Sequence, residues 1–306
     1  DTSLNLPSDF INSNNLLTTS AYNNLKNYKD EKFCYDLIII DEMQHCYFYD
    51  NFYLLIDKIL KNGLLNGKYY FFGDFDHQNI IGENINKNIL TDRDPKQNLH
   101  NYKGIHLWYN VRNSEDIALE APIISGLFDS LPLPYTIKNT RGDVEHIFCK
   151  DRDNKKEKLL NILKKLKKDD VLGNDITILS NYTLQNKKCI VSSLDISDIY
   201  KMCDLSNVKD DIILEQAIKN LNKNEKIFFS SALAFQGLES KIIIYIDPLD
   251  MDYSNNDSIK TSDAAHLMLF NAMGRANSIL YLLWDKHYEN WYNDRLKILG
   301  KLTPKK

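Results

Sequence analysis

Missing from these 306 residues is any apolar run long enough to cross a bilayer, and the N-terminus lacks a signal-peptide pattern. Both absences point away from a membrane and toward the cytoplasm. Missing too is a surplus of either charge: 38 Lys and Arg stand against 42 Asp and Glu, a formal net charge of −4. That balance gives no global pull toward nucleic acid, so a polyanion would have to be held by a local patch. The five cysteines (Cys34, Cys46, Cys149, Cys189, Cys203) form no C-x-x-C pair and no His–Cys cluster at metal-ligand spacing. Free thiols in a reducing compartment are the simplest account of them. Gly-x-x-x-x-Gly-Lys-Ser/Thr, a loop that cradles phosphates through backbone N–H groups, occurs nowhere.

What is present describes a globular protein with length for two domains: 43% hydrophobic and 26% charged residues. A lysine cluster (Lys155, Lys156, Lys158, Lys164, Lys165, Lys167, Lys168) lies on a helical pattern whose Leu159, Leu160, Ile162, Leu163 and Leu166 face inward. It reads as a solvated helix face. The stretch around which the chain is organised is Leu37–Ile40, an apolar run that stops at Asp41 and Glu42. β-Branched residues dominate it and no polar face alternates through it, so it reads as a fully buried parallel strand. Ligands of open α/β sheets bind beyond the carboxyl ends of such strands. Two acids there suit a metal-bound phosphate, one holding Mg²⁺ and the other taking a proton from water. They equally suit a helix start, where carboxylates are electrostatically favoured.

Along the chain, a helix is expected near Ser20–Tyr28 and another over Phe48–Leu65, with Gly63 or Gly67 as its stop. A second strand, Tyr69–Phe72, closes on Gly73-Asp74-Phe75-Asp76-His77-Gln78. After a polar connection at 83–103, the stretch Gly104–Ser114 reads as a strand ending at Arg112, and Ser114 caps a helix over Glu115–Phe128. Strands then follow at Val144–Cys149, Asp175–Leu179, Lys226–Ser231, Lys241–Ile246 and Ile279–Trp284, with helices at Lys155–Lys167 and Ser262–Met273. Strands alternating with helices predict an α/β fold of mainly parallel sheets with helices on both faces. A domain boundary is placed near residue 100, giving 1–100 and 101–306.

Asp-Glu-x-Gln at 41–44, Gly-Asp-x-x-x-Gln at 73–78, Asn-x-Arg-Asn-Ser at 110–114, Phe-Gln-Gly-Leu-Glu at 235–239 and Gly-Arg-Ala at 274–276 occur in that order. Jointly they resemble the motifs of superfamily 1 DNA helicases of the UvrD/Rep type, from about Tyr35 to Trp284. The resemblance implies P-loop NTPase-type, RecA-like sheets: an incomplete first domain followed by a complete second one. It implies ATP and Mg²⁺ as cofactors. Asp41 would hold the metal, Glu42 would activate water and Gln78 would sense the γ-phosphate. Arg112 and Arg275 would reach that phosphate from the second domain, and Gly237 and Glu239 would line the nucleotide's sugar and phosphates. Arginine forks suit transition-state charge on a phosphoryl group. Taken singly, either arginine equally suits a salt bridge, Gln78 a loop hydrogen bond, and Gly237 a turn.

Departures from the pattern qualify this. His45 stands where a second Asp is usual, Gly274 where Thr or Ser is, Gln236 where Lys is, and Ser231 where Thr is. The phosphate loop is absent, and only 40 residues precede Asp41. The chain is therefore expected to be a fragment that hydrolyses ATP weakly or not at all alone. Asn79-Ile80-Ile81-Gly82 replaces a base-stacking aromatic segment. Trp108 and Tyr109 are candidates to compensate, although each also suits a core position. About 120 residues separate Arg112 from Ser231, which leaves no room for a large inserted domain. That compactness suggests relatives joined to nuclease domains or acting in phage defence. The expected function is ATP-driven translocation on single-stranded or partly duplex DNA, with a nuclease domain or other protein as a further partner. A nucleotide-sensing, DNA-associated switch or interaction module without unwinding is the alternative. A P-loop kinase or other phosphotransferase fits less well, because the ordered Gln and Arg motifs have no place in it.

Overall fold

The computed structural model describes residues 35–41, 52–73, 107, 109–127, 135–136, 142–206, 226–249 and 258–302. The helix expected near Ser20–Tyr28, the polar connection at 83–103 and Trp108 lie outside them. The chain divides into two compact units, one spanning 1–79 and 83–105, the other 80–82 and 106–306. Among the described residues, no helix is long and apolar enough to cross a membrane.

In the first unit, β1 (Leu37–Ile40) pairs in parallel with β2 (Lys68–Phe71), Ile38 opposite Tyr69 and Ile40 opposite Phe71. Between them in sequence come α1 (Phe52–Ile59) and α2 (Gly63–Asn66). The single helix expected over Phe48–Leu65 is thus broken. Asn62 and Gly63 both take positive φ there, and Leu64 N–H is capped by the Asp57 carboxylate at 2.7 Å. Ile56, Leu60 and Leu64 are buried. The expectation of a fully buried β1 fails: Leu37 is 43% and Ile39 62% exposed. Residues of a strand alternate between faces, and in this described pair Ile38, Ile40, Tyr69 and Phe71 share the half-buried face.

In the second unit, six strands form one sheet: β5 (Asp143–Cys149), β6 (Ile176–Ser180), β7 (Lys201–Asp204), β8 (Lys226–Ser231), β9 (Ser240–Tyr245) and β10 (Ala276–Asp285). Their spatial order is β5-β10-β9-β6-β8-β7, and every pairing is parallel. A separate short pair joins β3 (Tyr109–Asn110) to β4 (Tyr135–Thr136). Parallel sheets need cover on both faces, and the strand residues sort accordingly. Ile176, Ile178, Ile227, Phe229, Ile242, Ile244, Tyr281 and Leu283 pack with Leu159, Ile162, Leu163 and Leu166 of α4 (Arg152–Lys168). Phe228, Ile243, Tyr245, Leu280, Leu282 and Trp284 pack on the opposite face. They meet α3 (Glu115–Ile124) through Ile117, Ala121 and Ile124, and α5 (Ser258–Met273) through Met268, Leu269 and Met273. Trp291 and Tyr292 of α6 (Glu289–Leu302) join that second cluster. The α/β fold with helices on both faces of a parallel sheet is therefore as expected; β7 and α6 were not anticipated.

Two polar constructions sit inside this frame. On the second face the Trp284 indole N–H donates to His146 Nδ1 at 3.0 Å. An indole is a donor only, so the His146 proton resides on Nε2 and is donated to the Glu120 carboxylate, 3.0 Å away. The Tyr292 ring lies 4.3 Å from that imidazole. Burial, helped by the Glu120 charge, pushes the Tyr292 phenol up to about 12.

The second construction closes the carboxyl ends of the strands and revises the reading of the lysine cluster. Lys155 is 3% exposed, so it does not belong to the solvated face. Its Nζ lies 2.9 Å from the Asp285 carboxylate and 3.7 Å from that of Asp247. Asp247 also accepts from Ser180 Oγ at 2.5 Å, and its carbonyl accepts from Asn181 Nδ2 at 2.7 Å. Cys149, Cys189 and Cys203 are free thiols, each pushed up by burial.

Two measurements check this frame. Above pH 10 the unfolded chain releases the Tyr292 proton that the folded chain retains, so stability falls as pH rises from 10 toward 12. Tyr292→Phe should make that decline shallower in urea titrations. Lys155→Ala strips the buried Asp247 of a cation and should cost about 3 kcal/mol or more in unfolding free energy. The same change at the half-buried Lys156, whose partner Asp153 is solvent-exposed, should cost far less.

Candidate functional site

The site grows from a tight polar turn. Asn110 ends β3, and its side-chain oxygen accepts from the backbone N–H groups of Arg112 and Asn113, each at 3.0 Å. This is an Asx-type turn, in which a side chain substitutes for a backbone acceptor. Asn110 Nδ2 donates to Asn113 Oδ1 at 2.8 Å. Asn113 Nδ2 in turn donates to the carbonyls of Gly274 (2.9 Å) and Ala276 (2.6 Å). Next along the chain, Ser114 N–H donates to the Asn277 carbonyl at 3.0 Å. Ser114 occupies the N-cap of α3 as expected, yet makes no side-chain cap bond. Its hydroxyl is buried without a hydrogen-bond partner among the described residues.

The turn at 274–275 is tied in the other direction to the start of β9, where Ser240 N–H donates to the Arg275 carbonyl at 3.0 Å. Glu239 completes the junction. One of its carboxylate oxygens lies 2.9 Å from Arg112 Nε, and the other accepts from Asn277 Nδ2 at 3.3 Å. Three segments distant in sequence (110–114, 237–240 and 274–277) thus meet at the amino ends of β9 and β10. The motif pattern suggests that each polar group follows a strand. Glu239 and Arg275 instead precede theirs, each held at a strand entrance.

Of the expected site residues, Arg112 and Glu239 are in direct contact, with side chains 41% and 39% exposed. At that exposure the pair contributes about 0–1 kcal/mol of stability, so its effect is chiefly to orient. Arg275 shares the junction through its backbone but is 5% exposed. Gly237 lies two residues before Glu239 with φ +81°, and nothing stands within 4 Å of where a Cβ would be. The turn role is therefore real, and the space beside it is open. Asp41 belongs to the first unit and is exposed just past the end of β1. Glu42, Gln78 and His45 lie outside the described residues.

The departures from the family pattern acquire structural readings. A Cβ on Gly274 would meet only the carbonyls of Phe270 at 3.4 Å and Asn271 at 3.6 Å, so the backbone does not require glycine there. Ser231 Oγ accepts from Ala234 N–H at 3.2 Å and caps the turn that leads to Gly237. Tyr109 is 64% exposed, flanked by Leu107 at 77% and Val111 at 62%, so the core role considered for it does not hold. Asn110, Asn113 and Asn277 have no role that the sequence alone reveals, although the first two lie within the Asn-x-Arg-Asn-Ser motif.

Three glycines give a graded test by calorimetry. Gly142→Ala would place a Cβ 1.9 Å from Ser114 Oγ and 2.6 Å from the Ser278 carbonyl, and should cost about 1–3 kcal/mol. Gly237→Ala should cost about 1 kcal/mol from the positive φ alone. Gly274→Ala should be tolerated.

No family model and no curated protein matches the chain. Solved structures do. One is the C-terminal domain of a possible DNA helicase from Lactobacillus plantarum WCFS1, at 11% identity and a TM-score of 0.36, covering 58% of this chain and 88% of that one. A structure described as an XPD helicase is similar over 55% of this chain and 38% of its own, at 13% identity and a TM-score of 0.36. Xpd4 of S. tokodaii is similar over 56% and 39%, at 14% identity and a TM-score of 0.31. The chain thus spans about two fifths of the length of each of the latter two, and likenesses at these values assign it to no family.

Proposed function

We propose that this chain is part of an ATP-dependent DNA helicase or translocase of superfamily 1, UvrD/Rep type, with the C-terminal part of a first RecA-like domain at 1–100 and a complete second one at 101–306. The observation that carries the proposal is the junction at the amino ends of β9 and β10. The Asn-x-Arg-Asn-Ser, Gly-Leu-Glu and Gly-Arg-Ala motifs, recognised by their order alone, are joined there by the contacts of Asn113, Ser114 and Glu239. A chance ordering of motifs gives no reason for such contacts.

In this reading Arg112 and Arg275 face the γ-phosphate of ATP and stabilise the charge it develops, a role worth ~10³–10⁵ in rate for an arginine finger. Gly237 and Glu239 line the sugar and phosphates. Glu239 also holds Arg112 through Nε in the nucleotide-free chain, a contact the phosphate has to replace. Gln78 senses the γ-phosphate, and Glu42 takes the proton of the attacking water. Mg²⁺ suits Asp41, an exposed hard oxygen donor at the carboxyl end of a parallel strand. When bound, the metal supplies neutralising charge on the phosphate oxygens. Single-stranded or partly duplex DNA is the track, and a nuclease domain or partner protein is the proposed associate.

One observation favours a second reading, a nucleotide-sensing switch. Arg275 is 5% exposed and Arg112 is already paired with a carboxylate, so both must be re-aimed before they meet a phosphate. A binding event that does this can signal without turnover. The test is ATP hydrolysis by the longest native polypeptide containing this chain, with and without single-stranded DNA. The motor reading expects DNA to stimulate turnover, and Glu42→Gln or Arg275→Ala to lower it by about 10³-fold. Binding of ATP with no stimulated turnover would select the switch.

A further inference from the structure

We infer that Asn113 is the positioning residue of this site: its one amide sets the spacing between the segments that carry Arg112 and Arg275. The inference rests on the reading above, in which those arginines face phosphate. Every polar function of the amide is used. Its oxygen accepts from Asn110 Nδ2, and its nitrogen, which has two hydrogens to give, donates to the carbonyls of Gly274 and Ala276. Those two carbonyls stand on either side of Arg275, while Asn113 follows Arg112 directly in the chain. A single side chain therefore grips the backbone before and after one arginine and is covalently joined to the other.

The orientation of the amide is dictated as well. Turned over, its oxygen would face two carbonyls and its nitrogen would face the Asn110 amino group. At 5% exposure no solvent relieves either clash. Asn110 adds the second constraint, because the oxygen that accepts from Asn113 N–H also accepts from Arg112 N–H. The backbone of Arg112 and the amide of Asn113 are thus held by one residue. A shift of the 274–275 turn, carried by the end of α5, would move the Arg112 segment with it. The exposed Arg112–Glu239 contact is too weak to impose such coupling; the buried amide is not.

The test measures equilibrium ATP affinity of the longest native polypeptide containing this chain by calorimetry, for Arg112→Ala, Arg275→Ala, Asn113→Ala and Asn113→Ser. The Asn113 changes are also combined with Arg112→Ala. Asn113→Ser provides a smaller perturbation should the alanine variant fail to fold, and melting curves establish that each variant is native. A positioning role predicts that folded Asn113 variants lose about tenfold in affinity. It further predicts that adding Arg112→Ala to them costs little more, since residues acting as one unit are non-additive. If the arginine variants lose affinity while folded Asn113 variants bind like the wild type, the inference is overturned and the site reading stands. Asn113 and Arg112 losses that simply multiply would overturn it equally. If neither arginine variant changes the affinity, or that longer polypeptide binds no ATP, the site reading itself fails and this inference falls with it.

Discussion

The second unit depends on one constraint: its six-stranded, all-parallel sheet needs apolar cover on both faces. Six strands pairing only in parallel oblige their alternate residues to be apolar on both sides. Ile242 and Ile244 accordingly face one helix layer, while Ile243 and Tyr245 face the other. Helices occupy both faces, so apart from the Trp284–His146–Glu120 chain under the second helix layer the polar groups described above gather at the two ends of the strands. On the second face α3 begins beside the amino ends of β9 and β10. Its N-terminal flank is where Asn113 reaches the turn before β10.

The two ends of the sheet use their polar groups differently. At the carboxyl ends Lys155, Asp247 and Asp285 are linked to one another and to Ser180. Breaking a buried charge set of this kind costs about 3–5 kcal/mol, so that end is suited to holding the strands together. At the amino ends the Arg112–Glu239 pair is two-fifths exposed and worth about 0–1 kcal/mol. An incoming anion can take the guanidinium from the carboxylate at small cost. The buried Asn113 amide, next to Arg112 in the chain, ties that segment to the 274–276 backbone, so the exchange need not disturb the fold.

Most of the fold was legible because hydrophobic periodicity is a local property. Runs such as Lys241–Ile246 and Ile279–Trp284 announce buried parallel strands without knowledge of their neighbours. β7 (Lys201–Asp204) escaped because an edge strand needs only one partner and can carry charge at both ends. Leu37–Ile40 misled in the other direction: a continuous apolar run predicts cover on both faces, and among the described residues one face of that pair is exposed. Lys155 was misassigned for a different reason. Helical spacing places it beside exposed lysines, and only the three-dimensional approach of Asp247 and Asp285 distinguishes it. The junction was half legible. Ordered motifs named Arg112, Gly237, Glu239 and Arg275, whereas the Asn113 amide that ties the Arg112 segment to the 274–276 turn has no charge to draw the eye, and the two carbonyls to which it donates lie more than 150 residues away.

We propose that segments 110–114, 237–240 and 274–277, which meet at the amino ends of β9 and β10, together face the nucleotide. Hydrogen–deuterium exchange of the longest native polypeptide containing this chain, with and without saturating ATP, tests this. Protection should appear in all three segments together and be absent from the carboxyl-end loops at 181–189 and 246–249. Protection confined to those loops, or no change anywhere in the second unit under demonstrated ATP binding, would contradict it.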